Sequence, residues 1–426
     1  MRRFNLVPRQ MVVVVMPLAL TIMGDSLIYI VLPAEAADFG VADWLGLSAS
    51  FWIGILLSVN RLVRIASNAY AAAVYVRFGL RAPFVGAVAA GALTTLAYGL
   101  ASGILLLLAA RMLWGICYSF MRLAAQVTAF EFGTPAIRGR MMGFFNAGQR
   151  SGSLVAVTAG AAIASAASRE VTFSIIAAVG LLGVVVALWA PDVRLRRPGT
   201  GRVEPQGTLG GPWRALLAPL AAGEKGLRWP LFSISFVRFA TAFAANGLVI
   251  ATVSPYLIEL MEDDSRVFGV PIAALTLAGL IVGTRWFSDL ALSVPLGHLS
   301  DRVGRSATVF AGISVMVTAL LTGAGVAAAE TVVVVLPLLF IAGVLVDTTL
   351  DASMGETAPD SSRPAHMSRY STYLDVGAAL GPLLGFVVAD RFGFRAGYLA
   401  AAVLLAVALA IYSVAASRRQ ARRPAE

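Results

Sequence analysis

Apolar segments long enough to cross a membrane recur along almost the whole chain, and this pattern restricts the possible folds more than any other feature. A spanning helix needs about 20 mainly apolar residues. The charged fraction of 13% is well below the roughly 25% of soluble domains. We therefore expect an all-α integral membrane protein. The pattern predicts twelve transmembrane helices near residues 11–33, 47–75, 82–101, 103–128, 141–165, 170–192, 229–257, 270–297, 306–329, 331–355, 369–390 and 395–416.

The first apolar segment follows a basic N-terminus and runs from Met11 to Pro33. It is longer than the apolar core of a signal peptide, so we expect it to be retained as a helix. The single cysteine, Cys117, lies inside another apolar segment, which excludes a disulfide framework.

The basic residues fall mainly in alternate loops, and this asymmetry predicts the orientation. Lys and Arg residues that flank spans stay in the cytoplasm. With the N-terminus inside, 22 of the 33 basic residues fall in inside loops and tails, and 4 fall outside. We expect a multi-pass protein of the inner (cytoplasmic) membrane with both termini cytoplasmic. These loops also account for the net charge of +10, so we expect the lipid bilayer, and no nucleic acid, as a partner.

A stretch rich in Arg, Gly and Pro, residues 193–228, interrupts the series after six helices and indicates a cytoplasmic linker. It would separate an N-terminal six-helix bundle, residues 1–192, from a C-terminal six-helix bundle with a basic tail, residues 229–426. Such a division predicts two pseudo-symmetric halves. Gly79 and Gly304 support it, because they occupy matching positions in the loops after the second and the eighth helix.

A second set of glycines supports the same repeat. Gly148 and Gly152 in the fifth segment match Gly377 and Gly381 in the eleventh. The stretch of sequence between these matched glycines is nearly as long as the stretch between the two loop glycines. Such agreement at equivalent positions indicates a true internal repeat.

Residues 297–305 read GHLSDRVGR and resemble the signature loop G-x-L-x-D-R-x-G-R of the major facilitator superfamily. The corresponding loop of the first half, residues 76–81, reads VRFGLR and has no aspartate. The resemblance implies the twelve-helix fold of that family and an alternating-access transporter.

The signature loop also implies a gate. The first glycine, Gly297, would let two helices approach closely, and Gly304 would permit a tight turn. Asp and Arg side chains would pair across the cytoplasmic face to hold one conformation. Together with two charges near the inner ends of other helices, the predicted gate residues are Gly297, Asp301, Arg302, Gly304, Arg305, Arg150 and Asp375.

Two shorter motifs carry a similar resemblance. The fourth segment contains Arg111 and Gly115, similar to the family's R-x-x-x-G element, which implies an arginine facing the central cavity. Residues 377–385 are similar to the element G-x-x-x-G-P-x-x-G of the family's antiporters. Those antiporters carry the element in the fifth helix, whereas here it stands in the eleventh.

Ionisable residues inside spans cost about 2.5–3.5 kcal/mol each on insertion scales and usually face a partner or a wet cavity. This makes them candidates for the binding of substrate or protons. The candidates are Asp25, Asn60, Arg61, Arg64, Arg111, Arg238, Arg285, Asp289, Asp347 and Asp351.

Depth favours one cluster of these charges. Asp25 and Arg61 lie equally far from the starts of two long neighbouring helices that run in opposite directions, so both fall near mid-span. Arg64 follows one turn after Arg61. We predict that Asp25, Arg61 and Arg64 form a substrate or proton site. A fixed ion pair that only joins helices is the alternative.

The sequence leaves open the role of two pairs of charged residues in the second half. Arg285 and Asp289 are four residues apart and would also pair locally on one helix. Asp347 and Asp351 share one helix face, where mutual repulsion suits proton exchange. Neutralisation of each carboxylate by Arg238, Arg285 or another arginine is the alternative.

The chain lacks a G-x-x-x-x-G-K phosphate loop, which disfavours a pump driven by its own nucleotide hydrolysis, and its two histidines form no His/Cys cluster, so we expect no cofactor or metal site. Paired carboxylates could also serve an intramembrane enzyme, but the repeat, the linker and the gating loop favour a transporter over an enzyme. We predict a monomeric secondary active transporter that exports a small organic molecule in exchange for protons. Proton-coupled uptake of an organic anion, or a non-transporting sensor or assembly factor on the same fold, are the alternatives.

Overall fold

The computed structural model describes residues 8–193, 227–261, 266–326, 328–359 and 363–420. Within these ranges the chain is helical apart from short connections and one small antiparallel hairpin. The predicted all-α class is confirmed.

The helices of the first half are long, and their connections are short. A π-helical turn, Ala156–Gly160, joins two of them into one rod. The helices are α1 (Arg9–Ala34), α2 (Ala49–Phe78), α3 (Arg81–Leu100), α4 (Ile104–Phe132), α5 (Pro135–Val155), α6 (Ala161–Ala166) and α7 (Arg169–Ala187).

The second half repeats this arrangement with more breaks. A π-helical segment, Ala242–Val249, joins α8 to α9, and a bend of 67° separates α10 from α11. Gly393, with φ at 79°, divides α14 into two rods. The strands β1 (Arg266–Val267) and β2 (Val270–Pro271) form the hairpin. The helices are α8 (Arg228–Thr241), α9 (Ile250–Leu260), α10 (Ala274–Ala291), α11 (Ser293–Val303), α12 (Arg305–Gly325), α13 (Ala329–Thr357) and α14 (Arg363–Gln420).

In the described ranges, nine helices are long and apolar enough to span a membrane, or ten if the bent pair α10 and α11 counts as one span. This makes the chain a multi-pass membrane protein. The rod over residues 135–166 is not among the nine, and α14 counts once although Gly393 divides it. The number twelve stays a prediction.

The described residues fall into two compact units. Unit 1 comprises Met1–Val41 and Val59–Leu209, and unit 2 comprises Ala42–Ser58 and Gly210–Glu426, in so far as these ranges are described. The predicted linker at 193–228 lies almost entirely outside the described residues. The predicted domain boundaries therefore stay a prediction.

The start of α2 belongs to unit 2 because it packs closely on α14. The Ser58 hydroxyl donates to the carbonyl oxygen of Ala379 at 2.5 Å. A Cβ added at Gly54 would lie 2.9 Å from the Cα of Leu383. A glycine at this position lets the two helix backbones approach.

Matching glycines hold the fifth and eleventh predicted helices against the first and seventh. In unit 1, Gly152 faces the carbonyl oxygen of Ala19 on α1. In unit 2, a Cβ at Gly381 would lie 2.6 Å from backbone atoms of Gly247 and Leu248. Small residues at both contacts permit close packing, which agrees with the internal repeat.

The contact at Gly381 predicts a measurable loss of stability. Gly381→Ala should lower the free energy of unfolding by about 1–3 kcal/mol, because the added methyl group meets backbone that cannot rotate away. Gly355→Ala is the matched control, since a Cβ at Gly355 meets no atom within 4 Å. Thermal unfolding of the purified protein in detergent measures both, and equal melting temperatures would contradict the prediction.

Candidate functional site

An ion pair joins Asp25 of α1 to Arg111 of α4 within unit 1. The Arg111 side chain is fully buried and the Asp25 side chain is 16% exposed. Asn60 of α2 also donates from Nδ2 to Oδ1 of Asp25 at 3.0 Å. Asp25 is thus held by two neighbouring helices while part of its carboxylate stays accessible.

Tyr29, one turn after Asp25 on α1, connects this pair to a further arginine. Its hydroxyl donates to Oδ1 of Asn60 at 3.3 Å. The Arg111 and Arg61 guanidinium carbons lie 5.1 Å and 5.3 Å from the centre of its ring. These are distances at which cations are attracted to aromatic faces.

The structure thus pairs Asp25 with Arg111, whereas the sequence analysis favoured Arg61 and Arg64. The reason lies in the R-x-x-x-G element. A Cβ at Gly115 would collide with the backbone of Asn60, so this glycine lets α4 approach α2. Arg111, one turn earlier on α4, then reaches Asp25.

Arg64 lies in a separate aromatic and polar setting. Its guanidinium carbon is 4.7 Å from the centre of the Tyr118 ring, and the Tyr118 hydroxyl donates to Oε1 of Gln149 at 2.6 Å. The Arg64 Nε is buried and has no hydrogen-bond partner among the described residues. Tyr118 and Gln149 were not among the predicted site residues.

Asp347 of α13 is the centre of a larger network in unit 2. It forms ion pairs with Arg238 of α8 and, at 3.2 Å, with Arg285 of α10. Thr241 also donates to its Oδ1 at 3.4 Å. Both arginines are buried, and the Asp347 side chain is 11% exposed. The structure thus pairs Asp347 with both arginines, which is the contact that the neutralisation alternative requires. The choice between neutralisation and proton exchange stays a prediction.

Arg285 joins this network to the π-helical segment. Its NH1 lies 2.7 Å from Asp289, so the local pair four residues apart exists. Its Nε also donates to Oδ1 of Asn246 at 3.1 Å. Asn246 lies within Ala242–Val249, and π-helical turns are frequent at functional sites. The local pair is thus one part of a larger arrangement.

Asp351 lies at the accessible edge of the network. Its Oδ1 accepts a hydrogen bond from the Tyr370 hydroxyl at 2.6 Å and lies 4.0 Å from Arg238. Its side chain is 54% exposed. The described ion pairs of the network join three aspartates, Asp289, Asp347 and Asp351, to the two arginines Arg238 and Arg285.

Two of the predicted gate residues, Asp301 and Arg305, form a cluster with Glu356 in unit 2. Arg305 pairs with Asp301 at 2.7 Å and with Glu356 at 2.8 Å, and also donates to Ser300 at 3.1 Å. Glu356, at the end of α13, was missed because no motif contains it. The cluster ties the turn between α11 and α12 to α13.

The remaining gate residues are placed as follows. Gly304 has φ at 98°, which confirms the predicted tight turn. Gly297 is a correction, because a Cβ there meets no atom within 4 Å, so close helix approach does not require this glycine. Arg302 is exposed, and Arg150 and Asp375 are partly buried on α5 and α14.

Among the described residues, no group of three His, Cys, Asp or Glu side chains is placed to hold a metal ion. The chemistry that these sites offer is the exchange of charged and hydrogen-bonded partners. It suits binding and release of a solute or a proton.

Comparisons with known proteins point in the same direction. A family model described as Major Facilitator Superfamily matches residues 18–288 and 239–426. The chain is 24% identical over 400 residues to Multidrug resistance protein MdtG of Escherichia coli O9:H4 (strain HS), covering 92% of this chain and 91% of that protein.

Solved structures of transporters have a similar fold. The nucleoside transporter NupG is 12% identical with a TM-score of 0.73, covering 96% of this chain and 99% of that one. A bacterial homolog of the human lysosomal transporter Spinster, inward-facing and unoccupied, is 16% identical with a TM-score of 0.70, covering 98% of both chains. The human organic anion transporter MFSD10 (TETRAN) is 16% identical with a TM-score of 0.64, covering 95% of this chain and 100% of that one.

Proposed function

Because the chain belongs to the major facilitator superfamily and is a membrane transporter rather than an enzyme, we propose that it exports a small organic molecule in exchange for protons. The observation that carries this proposal is the ion pair of Asp25 with Arg111 within the spanning helices. Such charges are costly in a membrane unless they have a function or a partner. Asp25 combines a partner with partial exposure, as a reversible proton site requires.

The proposed mechanism uses competition for Asp25. In one state Arg111 and Asn60 hold the carboxylate, as the geometry favours. When a proton binds Asp25, the attraction to Arg111 weakens, and the carboxylate is no longer available to a solute that would pair with it or donate hydrogen bonds to it. Return of Arg111 then expels the proton. Protonation and solute binding thereby become alternatives at one site.

The network around Asp347 is a second proposed proton or substrate site. Its carboxylates offer places for a proton, and Asp351 is the accessible member. Either site is suited to proton exchange, and variants at each site show which of the two couples transport to protons.

Export is supported by the relative MdtG, which is named a multidrug resistance protein. Uptake of an organic anion is the second candidate. Arg64 favours it, because no carboxylate pairs with Arg64 among the described residues and its Nε is buried. Forked hydrogen bonds from arginine suit carboxylate and phosphate groups.

Transport in vesicles tests the proposal. Inside-out membrane vesicles with the protein are preloaded with an acidic interior, and uptake of a panel of fluorescent cationic, neutral and anionic compounds is followed. Export in exchange for protons predicts uptake that ends when the gradient is collapsed with an ionophore. Uptake of anions only into right-side-out vesicles with an acidic exterior would favour the second candidate. No gradient-dependent movement in either orientation would contradict both.

We further propose that the protein lies in the inner membrane with both termini and the 193–228 segment in the cytoplasm, as the loop charges predict. A cysteine replacing Thr208, in a Cys117→Ser background, should be labelled by an impermeant thiol reagent only after the cells are permeabilised. Labelling of intact cells would show the opposite orientation.

The gate cluster is proposed to stabilise the outward-facing state. Asp301→Asn should slow transport while expression and solute affinity stay close to wild type, because Arg305 keeps Glu356 as a partner. The double change Asp301→Asn with Glu356→Gln should slow it further, since Arg305 then loses both carboxylates. Initial transport rates and equilibrium binding measure the two effects. Arg391→Gln, at an exposed arginine outside the cluster, serves as the control, and an unchanged rate in the double variant would exclude the cluster from the mechanism.

A further inference from the structure

Two loops of unit 2 end in the same unusual turn. In the loop before α2, Trp44 and Leu47 form a β-bridge, with backbone N–O distances of 3.0 Å and 3.1 Å. The residues between them, Leu45 and Gly46, have φ of 54° and 74°. The hairpin before α10 repeats this geometry. There β1 pairs with β2 through Val267 and Val270, and Phe268 and Gly269 between them have φ of 51° and 76°.

A large apolar residue is costly in the first position of such a turn. Left-handed backbone is sterically unfavourable for an L-residue, and turns with two positive φ values strongly prefer Asn-Gly, Asp-Gly or Gly-Gly. The chain nevertheless has leucine at one position and phenylalanine at the other. Leu45 is 72% exposed and Phe268 is 64% exposed, so packing within the described chain does not offset the cost.

The apolar surface continues beyond the two tip residues. Leu47 and Val270, the next side chains across each turn, are 39% and 58% exposed. Trp44 is also partly exposed, and its ring lies 5.0 Å from that of Trp52, whose Nε1 donates to the Trp44 carbonyl oxygen at 3.1 Å. These contacts fasten the first tip to the start of α2.

Both tips occupy equivalent places in the internal repeat. Helix α2 begins at Ala49 and α10 begins at Ala274. These two helix starts are as far apart in the sequence as the loop glycines Gly79 and Gly304. The separation between the two tips is nearly the same. Each tip thus immediately precedes a helix of the membrane region, at the end opposite the loop that carries the matched glycine.

We propose that both turns are lipid anchors that insert Leu45 and Phe268 into the boundary between headgroups and acyl chains. Burial of a leucine or phenylalanine side chain among acyl chains removes a large apolar surface from water, and this gain offsets the cost of the left-handed backbone. Tryptophan is enriched at the same membrane depth, as Trp44 would be. The anchors fix the depth at which α2 and α10 enter the bilayer, once in each sequence repeat.

Spin-label accessibility tests the location of the tips. Cysteines replace Leu45, Phe268 and, as the water-exposed control, Arg302, each in a Cys117→Ser background. The nitroxide-labelled proteins are placed in phosphatidylethanolamine–phosphatidylglycerol vesicles. Labels at the two tips should collide more with oxygen than with a water-soluble nickel chelate, and the control should show the reverse. Nickel accessibility at the tips equal to that at the control would overturn the proposal.

Asparagine substitutions give a second test, because a tip in water and a tip in lipid predict opposite changes in melting temperature. Asparagine tolerates left-handed backbone, so Leu45→Asn and Phe268→Asn relieve strain without adding bulk. If the tips lie in water, both variants should melt at a higher temperature than wild type in bilayer nanodiscs. If lipid covers the tips, both should melt at a lower temperature there, because a polar group replaces the buried side chain. A rise in melting temperature would overturn the proposal even if a labelled variant failed to fold.

Discussion

Asp25→Asn should abolish solute accumulation driven by a proton gradient and leave downhill exchange of solute intact. Asparagine keeps the shape and can still accept a hydrogen bond from Arg111, but it cannot take up and release a proton. A gradient of one pH unit corresponds to about 1.4 kcal/mol, or about a tenfold concentration ratio for one proton exchanged. Wild-type vesicles should approach that ratio, and the variant should stop at equal concentrations.

Two further variants of this ion pair test the prediction more sharply. Arg111→Lys keeps the charge but loses the planar guanidinium that reaches Asp25 over Tyr29, so it should reduce coupled transport strongly. A purely structural ion pair predicts a different pattern. Under that interpretation, the double change Asp25→Asn with Arg111→Gln would restore active transport, because removing both charges leaves nothing unpaired. Gradient-driven accumulation in the double variant would therefore contradict a coupling role for Asp25.

Helix positions were the part of the fold most accessible from the sequence, because apolar length alone fixes them. The predicted segment 82–101 corresponds to Arg81–Leu100, and the break predicted between 390 and 395 lies at Gly393. The π-helical segments Ala156–Gly160 and Ala242–Val249 left no apolar signal. They depend on tertiary packing, such as that of Gly247 against Gly381, which no periodicity reveals.

The candidate sites show why depth alone was insufficient. Matching depths placed Asp25 beside Arg61, but the helix faces in contact depend on where a glycine allows close approach. Gly115 provides this approach on α4 and brings in Arg111. The R-x-x-x-G element contained both residues, so a signal was present. By contrast, Glu356 belongs to no motif, and only the structure associates it with the gate cluster.

The network around Asp347 predicts the largest effect on stability. Asp347→Asn removes the carboxylate shared by Arg238 and Arg285, both of which are buried. Breaking a buried ion pair by removing one partner typically costs about 3–5 kcal/mol, because a charge is left uncompensated. The variant should therefore express poorly or melt at a clearly lower temperature in detergent.

Asp351→Asn is the matched control, since it changes a neighbouring carboxylate on the same helix by the same chemistry. Its side chain is 54% exposed and lies 4.0 Å from Arg238, so its loss should change the melting temperature little. If Asp351 takes up the proton, the same variant should still impair gradient-driven transport. Asp347 would then stabilise the fold, and Asp351, one helical turn away, would couple transport to the proton gradient.

A double variant distinguishes the charge balance from side-chain packing. Arg285 retains Asp289 at 2.7 Å when Asp347 is neutralised, so Arg238 is the arginine that loses most. Asp347→Asn with Arg238→Gln should therefore recover much of the stability lost by the single change, because no buried charge is left without its carboxylate. The double variant should nevertheless transport poorly if the network binds the solute or the proton. If the change in melting temperature of the double variant equals the sum of the changes in the two single variants, Asp347 and Arg238 are not energetically coupled. The ion pair between them would then not stabilise the network.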